Sequence, residues 1–443
     1  MVASRSAVAG RPRARNLRCD ARNRYKALIP SQRSPIPVVI VAFILSALLC
    51  PVSFAANVDP HPTVTTPSKS KTETVRENQH AKRRMRRLAR SRAYHVRTTA
   101  QLRHHRRHRY YERFYTSSYS DDVTEGDVTA GEDPVVRQAA IDALGNMNGT
   151  VVAIQPTSGR ILAMVDQKLA LSSGAQPCST IKLSVALAAL SEGVITKETQ
   201  IKLGRRFHLN LTEALAHSNN AYFEAVGRDL GFEKVSYYAH LFGLGELAGY
   251  NIPGEQPGVY PEAVIPTKLG GVGKMCSFGE GISMTPLQLG ALVSAIANGG
   301  TLYYLQHPTT PEQVANFQPR IKRHLDIAPL IPDISDGMAG AVSYGTARSV
   351  KLNFDEEQIL GKTGTCSRAG TRFGWFASYA NTSVGRIVVV VFLEGGRPTF
   401  GPKAAEIAGR MYRNLYDHDF FATGPAPSIP ADAAEAASGG GSQ

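Results

Sequence analysis

The chain has 443 residues and 43% hydrophobic content, enough for one large domain with appendages or for two domains. Its net charge of +14 is segregated: residues 1–34 carry nine Arg/Lys against Asp20, residues 82–113 carry thirteen against Glu112, and residues 114–443 balance at −6. The basicity therefore says nothing about a site in the remainder. Five cysteines (Cys19, Cys50, Cys178, Cys276, Cys366), with no C-x-x-C and no H-E-x-x-H, exclude a disulfide framework and the familiar zinc spacings.

Residues 35–57 contain no charge, and Val38 to Leu49 is almost wholly apolar behind a basic flank. This pattern marks an export signal, with the basic end kept in the cytoplasm. Ser53-Phe54-Ala55 before Ala56 resembles a cleavage site, yet the uncharged run approaches the ~20 residues that span a bilayer. Signal peptide and single-pass anchor both stay open. Either way, everything after residue 57 is expected outside the cytoplasm, held at the inner membrane or secreted.

Residues 58–133 are expected to be linker: Pro/Thr/Ser-rich to residue 80, then Arg/His-rich with tyrosines, as in His104-His105-Arg106-Arg107-His108-Arg109-Tyr110-Tyr111, then acidic and polar. Outside the cytoplasm, the partner for residues 82–113 is an anionic surface, such as lipid headgroups or acidic envelope polymers, rather than nucleic acid. A solvated spacer is the bland alternative.

The globular region is expected over residues 134–420. Val135 to Leu144 has helical spacing, and two strands, Val151 to Ile154 and Arg160 to Val165, flank the turn Gln155-Pro156-Thr157-Ser158-Gly159. Three more strands are expected at Gln358 to Thr365, Phe373 to Ala380 and Arg386 to Glu394, and a closing helix at Lys403 to Tyr416. Elements from both ends then build one antiparallel sheet, with a mostly helical middle. The Ala/Pro/Gly/Ser-rich tail, 421–443, is expected to be disordered.

The middle opens with Ser179-Thr180-Ile181-Lys182. A serine hydroxyl needs a base within reach to become a nucleophile, and positions i and i+3 share a helix face. By itself an S-x-x-K is most often a helix start with a solvated lysine. Two later motifs change its meaning: Ser218-Asn219-Asn220, an S-x-N, and Lys362-Thr363-Gly364-Thr365, a K-T-G on an expected strand.

In that order, these motifs resemble the transpeptidase domain of penicillin-binding proteins, within the serine β-lactamase and D,D-peptidase superfamily. The likeness extends to Tyr250-Asn251-Ile252-Pro253-Gly254-Glu255, to Ser277-Phe278-Gly279-Glu280-Gly281, to Thr285-Pro286-Leu287-Gln288-Leu289 before Ala297-Asn298-Gly299-Gly300, and to Gly374-Trp375-Phe376. It implies an α+β fold: a five-stranded antiparallel sheet flanked by helices, with an all-helical subdomain.

The resemblance implies Ser179 as nucleophile, Lys182 as its base, Ser218 as a proton relay and Lys362 as the fixed charge for a substrate carboxylate. Asn220 would bind the substrate amide, with Thr363, Gly364 and Thr365 also lining the substrate. The backbone N–H groups of Ser179 and Thr365 would form the oxyanion hole. No cofactor or metal is implied. The expected substrates are peptidoglycan stem peptides ending in D-Ala-D-Ala, with β-lactams as covalent inhibitors. A D,D-carboxypeptidase, a β-lactamase and a non-catalytic sensor or scaffold are the alternatives. A glycosyltransferase domain and the pedestal of monofunctional relatives are not expected.

Two departures stand out. Cys178 precedes the nucleophile where the family often has glycine, and Cys366 directly follows Thr365. If both segments line one cleft, oxidation can link the two sulfurs and narrow the site, with Cys276 as a competing partner and inert thiols as the default. Asn219, His217 and Glu280 are expected to be structural.

Overall fold

The computed structural model describes residues 82–86, 113–382 and 385–421. The chain divides into two units, Met1–His105 and Arg106–Gln443. Of the first, only residues 82–86 are described, and they are helical. The uncharged run 35–57, most of the basic stretch 82–113 and the tail beyond 421 lie outside the described residues. Among the described residues, no helix is long and apolar enough to cross a membrane.

A five-stranded antiparallel sheet organises the second unit: β1 (Gly149–Gln155), β2 (Arg160–Val165), β3 (Ile359–Arg368), β4 (Thr371–Thr382) and β5 (Gly385–Gly395), in the order β2-β1-β5-β4-β3. Early and late parts of this unit meet where β1 pairs with β5, placing Val152 opposite Val390. β5 carries an unbroken apolar run because both faces of the sheet are covered. Its alternate residues Val388, Val390 and Phe392 join one core, and Ile387, Val389, Val391 and Leu393 join the other.

The second core is closed by α1 (Pro134–Leu144) and by α8 (Gly401–Asp417), whose Ala404, Ala405, Ala408, Met411, Tyr412 and Leu415 form one buried stripe. The opposite face packs on the helical half: α2 (Lys182–Ser191), α3 (Leu211–Ala216), α4 (Asn220–Leu241), α5 (Gly271–Phe278), α6 (Pro286–Ala297) and α7 (Ile331–Ser343). α6 is buried along its whole length, and Thr285 and Gln288 cap its start reciprocally. α4 is kinked at Gly231, whose φ of 77° breaks the helical run.

Residues 113–133, at the end of the stretch expected to be linker, pack onto this unit. Tyr115 N donates to Gly370 O at 2.9 Å. Arg137 on α1 binds Asp127 and Glu132 at 2.9 and 2.8 Å, and His307 meets Glu132 at 2.9 Å. Both carboxylates are buried. Buried charges need such partners, so this polar segment is held by ion pairs where its sequence offers little apolar pattern.

Candidate active site

Ser179 lies in a 3-10 turn, Cys178–Ile181, that runs straight into α2 at Lys182. In 3-10 geometry residues i and i+3 eclipse, which brings the two side chains together more directly than an α-turn does. Lys182 Nζ stands 3.0 Å from Ser179 Oγ. The turn begins with Cys178 at φ 53°, a left-handed conformation that L side chains rarely adopt.

Ser218 and Asn220 come from the junction of α3 and α4. Asn219 caps α4 by accepting from Tyr222 N at 2.9 Å, the structural role expected of it. His217, exposed, pairs with Glu213 at 3.3 Å, and Glu280 accepts from Gln176 Nε2 at 3.3 Å. Ser218 is also left-handed, at φ 54°. Its carbonyl oxygen lies 2.7 Å from Lys182 Nζ, and its hydroxyl lies 3.1 Å from Lys182 Nζ and 2.8 Å from Lys362 Nζ. Asn220 Oδ1 accepts from Lys182 at 2.7 Å. Its amide nitrogen is then the donor that remains for a ligand.

Lys362 arrives from the other side, on β3, an edge strand. Period-2 alternation puts Lys362, Gly364 and Cys366 on one face and Thr363 and Thr365 on the other. Gly364 is where the strand meets the nucleophile's turn: a Cβ there would sit 2.9 Å from Pro177 O and 3.2 Å from Thr180 Cγ2. The glycine of the K-T-G tetrad therefore permits a close approach of backbone to backbone.

The two threonine hydroxyls are already engaged. Thr363 Oγ1 pairs with Thr346 Oγ1 at 2.7 Å, and Thr365 Oγ1 accepts from Gly401 N at 2.8 Å, which leaves the Thr365 O–H free to donate. Thr346, whose N–H donates to Ala216 O at 3.1 Å, ties the strand to the helical half. No motif spacing points to it. A cavity of about 530 Å³ shares Thr346 with the site and is lined also by Arg348, Ser349, Phe400 and Pro402.

Both lysines are fully buried. Burial, reinforced by the charge of Lys362, holds the Lys182 ammonium well below its ordinary range. Burial also brings Lys362 down to about 7. Of the four groups around Lys182 Nζ, two can only accept: the Ser218 carbonyl and Asn220 Oδ1. A neutral amine has two N–H donors for these and one lone pair, which then faces the hydroxyls. The arrangement can deprotonate Ser179, and Ser179 Oγ, Lys182 Nζ, Ser218 Oγ and Lys362 Nζ form an unbroken hydrogen-bonded chain.

Cys178 and Cys366 form a disulfide with their Cα atoms 5.5 Å apart, while Cys276 is free and buried, its thiol pushed up to about 12 by burial. Among the described residues, no group of His, Cys, Asp and Glu is arranged to hold a metal ion.

The sequence model of the penicillin binding protein transpeptidase domain matches residues 149–416, which includes every residue named above as motif. The chain belongs to that family. Stage V sporulation protein D of Bacillus subtilis is 28% identical over 316 residues, covering 59% of this chain and 48% of its own. The peptidoglycan D,D-transpeptidase MrdA of Acinetobacter baumannii is 25% identical over 367 residues, covering 66% of this chain and 54% of its own. The chain thus spans about half the length of the curated relatives it matches. The crystal structure of a peptidoglycan glycosyltransferase from Burkholderia ambifaria superposes with a TM-score of 0.55 at 19% identity, covering 67% of this chain and 99% of that one. This last likeness bears on the fold, and the α+β architecture expected from the motifs is the one present.

Proposed function

We propose that the chain is a serine D,D-transpeptidase acting on peptidoglycan stem peptides that end in D-Ala-D-Ala. The observation that carries this reading is the buried Lys182 amine, 3.0 Å from Ser179 Oγ and already supplied with two acceptor-only partners. Ser179 Oγ attacks the carbonyl of the penultimate D-Ala, and its proton passes to Lys182. The backbone N–H groups of Ser179 and Thr365 receive the oxyanion, each contributing on the order of 3 kcal/mol. Lys362 and the Thr365 hydroxyl bind the terminal carboxylate, and the Asn220 amide nitrogen binds the substrate's amide oxygen. As the C–N bond breaks, the proton returns through Ser218 to the leaving D-Ala amine. The Ser179 acyl-ester is then consumed by an acceptor amine, which regenerates the hydroxyl. β-Lactams enter the same sequence, but their leaving amine stays tethered.

The disulfide fits an oxidising compartment, which supports export. Residues 35–57 would hold the chain at the inner membrane, and residues 82–113 would engage anionic lipids or envelope polymers.

Labelled penicillin tests the assignment. One equivalent should attach to the full chain and none to Ser179→Ala. Covalent labelling of that variant would overturn the reading. The lifetime of the adduct separates the chemistries that share it. Persistence over hours fits a transpeptidase or carboxypeptidase, and turnover in seconds fits a β-lactamase. Product analysis with a stem pentapeptide and an added amine then divides cross-link from hydrolysis.

A further inference from the structure

The disulfide stands where the nucleophile's turn meets β3, away from the hydrogen bonds at Ser218 and Thr346 that tie the strand to the helical half elsewhere. Cys178 immediately precedes Ser179, and Cys366 immediately follows Thr365. The bond therefore joins the neighbours of the two backbone N–H groups that the proposed function assigns to the oxyanion. Among the described residues, no hydrogen bond runs directly between the Cys178–Ile181 turn and β3. One strand further in, Trp375 Nε1 on β4 donates to Gln176 O at 3.0 Å. At Gly364 the seam is a van der Waals contact against Pro177 O and the Thr180 methyl group, without a hydrogen bond. Thr365 lies on an edge strand, whose outer side has no neighbouring strand among the described residues.

The backbone at Cys178 adds a second observation. Its φ of 53° suits glycine, and a cysteine occupies it with its side chain fully buried and pointed at β3. A residue that the backbone disfavours is tolerated where its side chain makes a bond that glycine cannot make.

We infer that the Cys178–Cys366 disulfide is a positioning element of the oxyanion hole: it fixes the distance between the Ser179 and Thr365 N–H groups and so sets the acylation rate. This rests on the proposed acyl-transfer function. Cys178 and Cys366 touch no reacting atom; they act through the residues beside them. Alignment of oxyanion donors acts on the transition state and little on ground-state binding, so the effect belongs in the acylation step and not in prior affinity.

The test uses the full chain, oxidised and after reduction by dithiothreitol, with thiol titration confirming two new thiols per chain. Cys366 is the more exposed partner, half-buried where Cys178 is fully buried, and dithiothreitol is applied in excess until both thiols titrate. Stopped-flow acylation by a chromogenic penicillin separates the acylation rate constant from the non-covalent dissociation constant. The expected result is an acylation rate constant at least ~10-fold lower after reduction. The dissociation constant should change less than twofold, labelling should still reach one equivalent, and reoxidation should restore the rate. A lowered melting temperature alone would not distinguish positioning from mere cross-linking, because any disulfide that closes a long loop gives it. The double variant Cys178→Gly/Cys366→Ser, in which glycine suits the left-handed position, guards against misfolding and should match the reduced enzyme. An unchanged acylation rate constant in both the reduced chain and the double variant overturns the inference. If the oxidised chain takes up no penicillin at all, it is the acyl-transfer reading that fails instead.

Discussion

The two sides of the cleft are built in opposite ways. On the helical side, every functional group sits where regular structure stops: Ser179 in a 3-10 turn after a left-handed cysteine, Ser218 itself left-handed, and Asn220 at the first position of a capped helix. On the sheet side, Lys362 and Thr365 sit on a straight edge strand, in register with β4, with Thr363 opposite Phe376. The irregular side aims four polar atoms at one amine. The regular side delivers a single charge and a rail of backbone. Irregular backbone aims groups tightly but at conformational cost, whereas a strand presents groups cheaply at fixed spacing. The helical side should therefore be chemically fragile, and the strand side chemically simple.

The strongest test of that contrast is Lys182→Met, which keeps the side chain's bulk and removes the proposed base. General-base catalysis contributes typically ~10²- to 10⁴-fold, so the acylation rate constant should fall by about that factor while folding is retained. Thermal unfolding monitored by circular dichroism should stay cooperative, with relief of the buried amine offset by the loss of its hydrogen bonds to Ser218 O and Asn220 Oδ1. Acylation within ~5-fold of the parent would mean that another group takes the Ser179 proton, and the idea of a fragile helical side would break.

Lys362→Met probes the simple side and should separate activity from stability. Loss of a charge-assisted hydrogen bond to the substrate carboxylate costs roughly 1.5–3 kcal/mol, about 10- to 150-fold in acylation. Stability should move the other way. With its folded pKa brought down to about 7 from an ordinary 10.5, Lys362 binds its proton more weakly in the folded chain than in the unfolded one. Between those values the unfolded state holds more protons, so stability rises with pH across that window and is lowest at and below neutrality. The methionine removes this slope and should stabilise the fold at neutral pH by roughly 2–4 kcal/mol, read as a higher melting temperature.

The same two lysines shape the activity profile. The proposed mechanism requires Lys182 neutral and Lys362 charged. The rate should therefore climb as pH rises through the depressed Lys182 pKa and decline above about 7 as Lys362 loses its charge. In Lys362→Met the declining limb should vanish. A declining limb that persists in the variant would belong to some other group.

The contrast also explains what was legible beforehand. The strands could be placed from the sequence because regular elements write themselves as periodic or continuous apolar runs, and β5 between two buried faces is the clearest case. The chemistry-bearing residues were visible only through motif order, because Ser218 and Ser179 occupy positions that no periodicity marks. The 3-10 turn beneath Ser179 was not legible as such, since its four residues carry no pattern different from a helix start. Nor was the burial of Lys362, a residue whose type is ordinarily solvated. The packing of residues 113–133 was hidden for a related reason: it rests on Asp127 and Glu132 pairing with Arg137, contacts that look like solvated charge in one dimension. The pairing of Cys178 with Cys366 could be suspected only because their neighbours were assigned to one cleft.

The smallest expected effect is at Thr346, which braces the strand by a single hydroxyl pair, 2.7 Å to Thr363 Oγ1. Thr346→Val deletes that bond at nearly constant volume and keeps the backbone N–H that donates to Ala216 O. A neutral hydrogen bond contributes ~1 kcal/mol net, so the melting temperature should fall by a few degrees at most. The effect on acylation should be smaller still. Lys362 is positioned by the β3–β4 ladder and by Ser218, on the strand face opposite Thr363, so the rate constant should stay within about twofold of the parent. The comparison rests on this weak response. A drop beyond ~10-fold in acylation would mean that the edge strand holds its register through side-chain braces rather than through its ladder. The sheet side would then be as finely propped as the helical side, and the disulfide at Cys366 would be one of several props that hold the strand's register.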